Sequence, residues 1–215
     1  MGRDGKLAPA AKVFDLGAEL TKRLGREGDK VVYRVAEDSL EPGGREGSLN
    51  KATSLVAAEG DVKPTRGETM MKISVKLGAH EKGNSFTNLS RYLSTVDVIP
   101  IVKGMTFSYD VRSEGSPYDN FALDLRIVMP DGRAVPKIAD AAGVPMNNIH
   151  QYHSPSLGGH ADGKWYHREF DLSPAAGGWI DMITLCCTRP SGAAYPAGEL
   201  KFYVDDIKCT WSAEK

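Results

Sequence analysis

The chain has 215 residues, with 27 Lys and Arg against 28 Asp and Glu and a formal net charge of -1 at pH 7. This balance excludes the strongly basic surface of a nucleic-acid-binding protein, and no apolar run approaches the about 18 residues that a membrane-spanning helix needs. We therefore expect one domain that binds neither nucleic acid nor membrane.

Residues 1–30 differ from the rest of the chain. They are charged and lack the apolar stretch of a secretory signal peptide. Four apolar residues recur at helical spacing between Val13 and Leu24, although Gly17 interrupts them. We predict an N-terminal lead-in or short helix over 1–30, followed by a single β-sandwich domain over 31–215.

From residue 31 onward the apolar residues recur with a period of two, which is typical of strands. The 23 Gly and 12 Pro suit short strands joined by turns, and Pro100 indicates an edge strand because proline cannot donate to a sheet. The predicted strands are 31–38, 51–59, 69–77, 86–94, 96–102, 105–113, 121–129, 164–172, 179–187 and 199–211. This pattern predicts an all-β fold, an antiparallel β-sandwich of the jelly-roll type, with its first and last strands side by side.

The three cysteines are predicted to be free thiols. We expect 181–188 and 200–208 to form a hairpin, which would place Cys209 opposite Trp179 and far from the other two cysteines. Cys186 and Cys187 are adjacent, so they would point to opposite faces of their strand. No cysteine or histidine spacing is typical of a zinc site.

The C-terminal third resembles a known family. Trp165 opens a strand, Phe170–Ser173 follows, Gly178 precedes another strand, and Tyr203–Ile207 (YVDDI) lies in the last one. These residues are similar to the closing strands of galactose-binding-like jelly rolls, the carbohydrate-binding modules of bacterial glycoside hydrolases. The resemblance implies an oligosaccharide or polysaccharide ligand, a catalytic domain as partner, and an extracellular or cell-surface location for a secreted protein.

Many modules of this family carry a structural calcium ion, and the resemblance implies a place for one. Glu37 and Asp38 of the first strand would lie near Asp205 and Asp206 of the last, although Ala36 stands where the family pattern has Phe. Calcium takes about six to eight oxygen ligands in irregular geometry, which such carboxylates and nearby carbonyls can supply. We predict a calcium cofactor at these four carboxylates. The alternative is that one aspartate of the last strand caps a turn and the other is solvated.

The stretch 134–163 is a candidate ligand-binding loop, because loops this long inside a compact domain are usually functional. Its imidazole and amide groups form directional hydrogen bonds that suit sugar hydroxyls, and Tyr152 offers a flat face to a pyranose ring. Loops near 115–120 and 188–196 contribute further candidates. The predicted carbohydrate-binding residues are Tyr118, Asn147, Asn148, His150, Tyr152, His153, His160 and Arg189. A plain surface loop and a metal site are the alternatives for the histidines.

No catalytic residue is predicted. The sequence contains no nucleophile elbow, metalloprotease motif or phosphate-binding loop. Asp124 alternates with Arg126 on one predicted strand, and Glu169 with Asp171 on another, but exposed strand faces are normally charged. The sequence therefore favours non-catalytic carbohydrate binding by an accessory module. A jelly-roll polysaccharide lyase or glycoside hydrolase, and a structural domain that packs against a catalytic partner, are the alternatives.

Overall fold

The computed structural model describes residues 24–34, 53–79, 87–94, 98–114, 120–141, 143, 146, 162–189, 194 and 196–212, and the side chains of β5 and of 186–189 lie outside this description. The strands are β1 (Leu24–Glu27), β2 (Lys30–Arg34), β3 (Thr53–Val56), β4 (Met70–Leu77), β5 (Thr87–Ser94), β6 (Ile99–Pro100), β7 (Thr106–Ser113), β8 (Asn120–Val128), β9 (Trp165–Asp171), β10 (Trp179–Arg189) and β11 (Gly198–Ser212). A short 3-10 helix spans Ser173–Ala175. No helix within these ranges is long and apolar enough to cross a membrane.

The strands form two antiparallel sheets. In the seven-stranded sheet, β4 and β2 pair with successive parts of one edge of β11, and β7 pairs with the other edge. β3, β1 and β9 extend this sheet through β4, β2 and β7. In the four-stranded sheet β10 is central, with β8 on one edge and β5 and β6 on the other. The fold is therefore the antiparallel β-sandwich that the sequence predicts.

Alternate residues of both sheets meet in one hydrophobic core. Phe107, Phe170 and Phe202 come from the seven-stranded sheet, whereas Leu125 and Leu185 come from the four-stranded sheet, and all five are buried. Burying side chains of this size stabilises the fold by about 1.5–3 kcal/mol each. The period of two in the sequence thus places one face of each strand in the core.

β11 is the longest strand, and it changes partner midway. Val204 is the last β11 residue opposite β4, and Lys208 is the first opposite β2. The register against β7 shifts between Asp205 and Lys208, and Asp206 has a φ of 46°. A β-bulge therefore marks the point where the partner changes. The pairing of β2 with β11 confirms that the first predicted strand lies beside the last one.

The sheet begins earlier than the sequence indicated. β1 lies inside the predicted lead-in and pairs with β2 through a two-residue turn. Gly28, the first turn residue, has a φ of 61°, a conformation that glycine adopts without a steric penalty. Residues 1–23, which include most of the predicted helix, lie outside the described ranges.

The predicted hairpin of the last two strands is wrong. β10 and β11 belong to different sheets, and both edges of β11 are taken by other strands. Cys209 lies opposite Tyr33 and Phe107, not Trp179, and is fully buried as a free thiol. The side chains of Cys186 and Cys187 are not among those described, so their state stays a prediction.

Candidate functional site

The outer face of the four-stranded sheet is polar near its centre. Along β8, Leu123 and Leu125 point into the core, so Asp124 and Arg126 alternate to the opposite face. Along β10, Thr184 lies between two core residues and is in register with Asp124 on one side and with Tyr92 of β5 on the other. We call Asp124, Arg126, Asp181, Met182 and Thr184 the polar face.

The centre of the polar face is buried. Asp124 is 7% exposed and Thr184 is 0% exposed, although both lie on the side of the sheet that points away from the core. The Thr184 hydroxyl has no hydrogen-bond partner within the described residues. A buried polar group without a partner costs about 1–3 kcal/mol. This differs from the solvated, charged strand surface that the sequence suggested for Asp124.

A fixed ion pair borders this centre. Arg126 donates from Nε to Asp181 Oδ1 at 2.6 Å and from Nη2 to Asp181 Oδ2 at 2.8 Å. The register between β8 and β10 shifts at Asp181, which lies between Ile180 and Met182. Two parallel hydrogen bonds hold the guanidinium plane in one orientation. The side chains are 32% and 24% exposed, so the pair remains in contact with solvent.

The start of the predicted 134–163 loop closes the side of the sandwich. Ile138 is buried, and Val135 and Met146 pack against the core. Arg168 of β9 forms an ion pair with Asp140 at 2.8 Å between two largely buried side chains. These contacts attach the first part of the stretch to the core, so it is not a free ligand-binding loop along its whole length.

The sugar contacts predicted from sequence stay predictions. Seven of the eight lie outside the described residues, namely Tyr118, Asn147, Asn148, His150, Tyr152, His153 and His160. The eighth, Arg189, is the last residue of β10, where its backbone pairs with Thr87 of β5. Of the histidines near this region His167 is described, and its Nδ1 lies 2.7 Å from Asp110 Oδ1 on the seven-stranded sheet.

Half of the predicted calcium site is described, and its two carboxylates contact protein groups. Asp205 accepts hydrogen bonds from backbone N–H groups, and Asp206 is surrounded by cationic side chains. Within the described ranges no group of three or more His, Cys, Asp or Glu residues could hold a metal ion. Glu37 and Asp38 lie outside these ranges, so calcium binding through them stays a prediction.

Sequence reasoning missed the polar face. It noted the alternation of Asp124 and Arg126 but treated their face as exposed. A signal was present in β10, where Thr184 stands among apolar residues in the run WIDMITLCC. Thr184 has apolar residues on both sides, so a hydroxyl at this place in a central strand is expected to be buried on one face or the other. Its partner Asp124 could be found only from the register of β8 with β10.

Comparisons with known proteins give structural neighbours alone. No protein-family model matches the chain, and no curated protein matches it in sequence. A glycoside hydrolase domain of Endo-D from Streptococcus pneumoniae R6 is similar over 74% of this chain and 20% of its own length, with 15% identity and a TM-score of 0.45. This chain thus spans about a fifth of that protein.

Two further neighbours are of similar size to this chain. A family 27 carbohydrate-binding module from Caldicellulosiruptor saccharolyticus, solved with mannohexaose, has 12% identity and a TM-score of 0.37, and 82% of this chain and 88% of the module are covered. A family 11 carbohydrate-binding module from Clostridium thermocellum, solved with a mixed-linked tetrasaccharide, has 14% identity and a TM-score of 0.32, with 90% and 97% covered. The neighbours are carbohydrate-binding modules and glycoside hydrolase domains. Similarities of this size assign no ligand to the chain.

Proposed function

We propose that this chain binds carbohydrate without cleaving it, as a secreted accessory module of a glycan-processing enzyme. The observation that carries the proposal is the polar face of the four-stranded sheet, where the solvent-contacting pair of Arg126 and Asp181 borders the buried Asp124. Two parallel hydrogen bonds hold this pair in place, so its polar groups are presented to a ligand in a fixed orientation. The resemblance of the closing strands to carbohydrate-binding modules supports the accessory role and the location.

The polar face offers the groups that sugar hydroxyls require. A hydroxyl both donates and accepts hydrogen bonds, so a sugar site combines acceptors such as Asp181 with donors such as Arg126. The bidentate pair with Asp181 fixes Arg126 before the ligand arrives, which lowers the entropy cost of binding. Each hydrogen bond exchanged with water contributes only about 0.5–1.5 kcal/mol, so we expect modest affinity.

Arg189, the one predicted sugar contact within the described residues, lies at one end of this same sheet. There Thr188 of β10 pairs with Asn120 of β8, and Arg189 pairs with Thr87 of β5. We propose that Arg189 contributes to the same binding site from this end of the sheet.

The same geometry favours binding over hydrolysis. Glycosidases use two carboxylates about 5–9.5 Å apart, one of which acts as nucleophile or base. On the described part of the polar face, Asp181 is held at both of its oxygens by Arg126. Asp124, the other carboxylate of this face, is buried, so the described polar face does not present two exposed carboxylates to a ligand.

Isothermal titration with a glycan panel tests this proposal. The panel contains neutral β-glucans, mannans and a polyuronate, and each mixture is also assayed for new reducing ends and unsaturated products. We expect binding to at least one glycan without any cleavage. Silence across the panel would contradict the proposed function, and product release would favour the hydrolase or lyase alternative.

A pair of matched variants locates the site. Arg126→Gln removes the charged donor of the polar face, and we expect it to weaken binding about 3–10-fold. Arg112→Gln is the control, because Arg112 lies on the seven-stranded sheet and donates to Glu114 Oε1 at 2.8 Å. The control should lose stability and keep its affinity. Equal affinities of Arg126→Gln and the unmodified chain would place the site elsewhere.

A further inference from the structure

The bulge in β11 leaves a gap in the seven-stranded sheet. Between the end of the β4 pairing at Val204 and the start of the β2 pairing at Lys208, no described strand pairs with this edge of β11. A cleft of about 230 Å³ opens there, lined by Arg34, Arg66, Met70 and Asp206 among others. The cleft is large enough for an ion, so the chemistry of its walls decides what it holds.

Asp205 is engaged by hydrogen-bond donors at both carboxylate oxygens. Its Oδ2 accepts from the Thr65 backbone N–H at 2.7 Å, from the Thr65 hydroxyl at 3.0 Å and from the Arg66 backbone N–H at 2.9 Å. Its Oδ1 accepts from the Asp206 backbone N–H at 2.7 Å. Three donors crowd Oδ2 and one engages Oδ1, so protein hydrogen atoms already supply positive charge to this carboxylate.

Asp206 lies among three cations. Its Oδ2 accepts from Lys208 Nζ. Its Oδ1 lies 3.3 Å from Arg34 Nη2 and 3.8 Å from Arg66 Nε, as ion pairs, and this buried oxygen accepts no hydrogen bond from the described residues. The Asp206 side chain is 11% exposed, so screening by water is reduced. Asp206 also has a φ of 46°, which lies outside the backbone conformation of a regular strand.

We propose that Arg34, Arg66 and Lys208 take the place of a structural calcium ion at this bulge, so that Asp205 and Asp206 need no metal. The three side chains supply the positive charge that a divalent cation would bring to two adjacent carboxylates. A calcium ion entering the cleft would meet three like charges at short range and would have to displace them, which is unfavourable in a partly buried site. The chain thereby departs from the calcium site that its resemblance implies.

Thermal unfolding of the full chain in chelator and in excess calcium tests the proposal. We compare the unmodified chain with Asp206→Asn, which removes the charge and keeps a residue that tolerates positive φ. The control is Asp131→Asn, which removes an exposed carboxylate paired with Arg133. We expect the melting temperature of the unmodified chain to be the same in both buffers. Asp206→Asn should lower it by about 3–6 °C in each buffer, and the control should change little.

Two other outcomes are informative. If calcium raises the melting temperature of the unmodified chain by about 5–10 °C and Asp206→Asn abolishes the rise, the ion binds at the bulge and the proposal is overturned. If the rise persists both in Asp206→Asn and in Asp205→Asn, calcium binds elsewhere on the chain, and the bulge holds protein cations as proposed. A native mass spectrum of both proteins with calcium counts the bound ions directly.

Discussion

Gly178, one of the residues that resemble the carbohydrate-binding modules, allows two segments of the chain to pack closely. A Cβ at this position would lie 2.6 Å from Met129 Sδ and 2.8 Å from the Val128 carbonyl oxygen. The motif glycine thus lets the turn after the 3-10 helix pass close to the end of β8. The sequence resemblance gave its position, and the contacts give its physical reason.

Gly178→Ala should therefore destabilise the fold. Because backbone as well as side-chain atoms crowd the new methyl group, we expect a loss of about 1–3 kcal/mol in the free energy of unfolding. Urea denaturation measures this loss. Gly198→Ala is the matched control, since a Cβ there meets no atom within 4 Å. An equal effect of the two substitutions would contradict the packing argument.

Two buried groups predict how stability changes at alkaline pH. Burial raises the pKa of the Cys209 thiol from 9.0 to about 12, and burial raises the pKa of the Tyr109 hydroxyl from 10.0 to about 12. Between about pH 9 and 12 the unfolded chain releases protons that the folded chain keeps. The free energy of unfolding contributed by these groups is therefore intact below pH 9 and falls as pH rises.

Cys209→Ala isolates one of the two groups. The expected slope for each group is about 1.4 kcal/mol per pH unit above its unfolded pKa. In Cys209→Ala the free energy of unfolding should start to fall near pH 10 instead of pH 9. Any loss of this free energy that the smaller side chain causes at neutral pH does not change the pH at which the fall begins. Urea denaturation at a series of pH values measures the slope. A variant slope equal to that of the unmodified chain between pH 9 and 10 would show that Cys209 ionises without penalty.

At the scale of elements, Asp205 connects β11 to the segment between β3 and β4. This segment crosses the outer face of the seven-stranded sheet, where Val62 packs with Met70 and Tyr203. The Asp205 carboxylate holds its end at Thr65 and Arg66. One side chain thus orders a stretch without regular secondary structure.

Asp205→Asn should loosen this segment. The amide can accept at one of its two positions only, so we expect a loss of about 1.5–3 kcal/mol, typical of hydrogen bonds to a charged group. Hydrogen exchange should accelerate at the Thr65 and Arg66 amides. Asp171→Asn is the control, because Asp171 is exposed and accepts from the Ser173 amide at 2.8 Å. Unchanged protection at Thr65 in Asp205→Asn would contradict this role.

The strands that could be predicted from sequence are those with one buried and one open face. β4 and β7 were located to within a residue or so, because alternation alone defines them. β1 escaped prediction because its four residues carry no apolar alternation, and its pairing with β2 depends on the turn at Gly28. Local periodicity thus predicts long, half-buried strands, but it does not predict short strands whose pairing depends on a turn.

At the scale of the whole molecule, the wrong hairpin has a topological reason. Strands adjacent in sequence usually pair, and that general tendency suggested a β10–β11 hairpin. In the sandwich the chain crosses from one sheet to the other after β10, and β11 pairs with β2, β4 and β7 instead. Sequence alone does not show such a crossing, because each strand has the same alternation in either sheet.

The polar face also depends on this level of organisation. Asp124 and Thr184 come from strands that are far apart in the sequence, with β9 of the other sheet between them, and the register of β8 with β10 brings them together. Neither residue stands out in its own strand as a binding residue. The polar face could therefore be identified only from the order of strands in the four-stranded sheet.

The most direct measurement of the central claim is a backbone NMR titration of the full chain with a glycan from the panel. Carbohydrate binding at the polar face predicts that the amide signals of Asp124, Arg126, Met182 and Thr184 shift in proportion to saturation, while those of Ser108, Thr210 and the rest of the seven-stranded sheet stay in place. Saturable shifts confined to the seven-stranded sheet, or no shifts at any glycan concentration, would contradict the account.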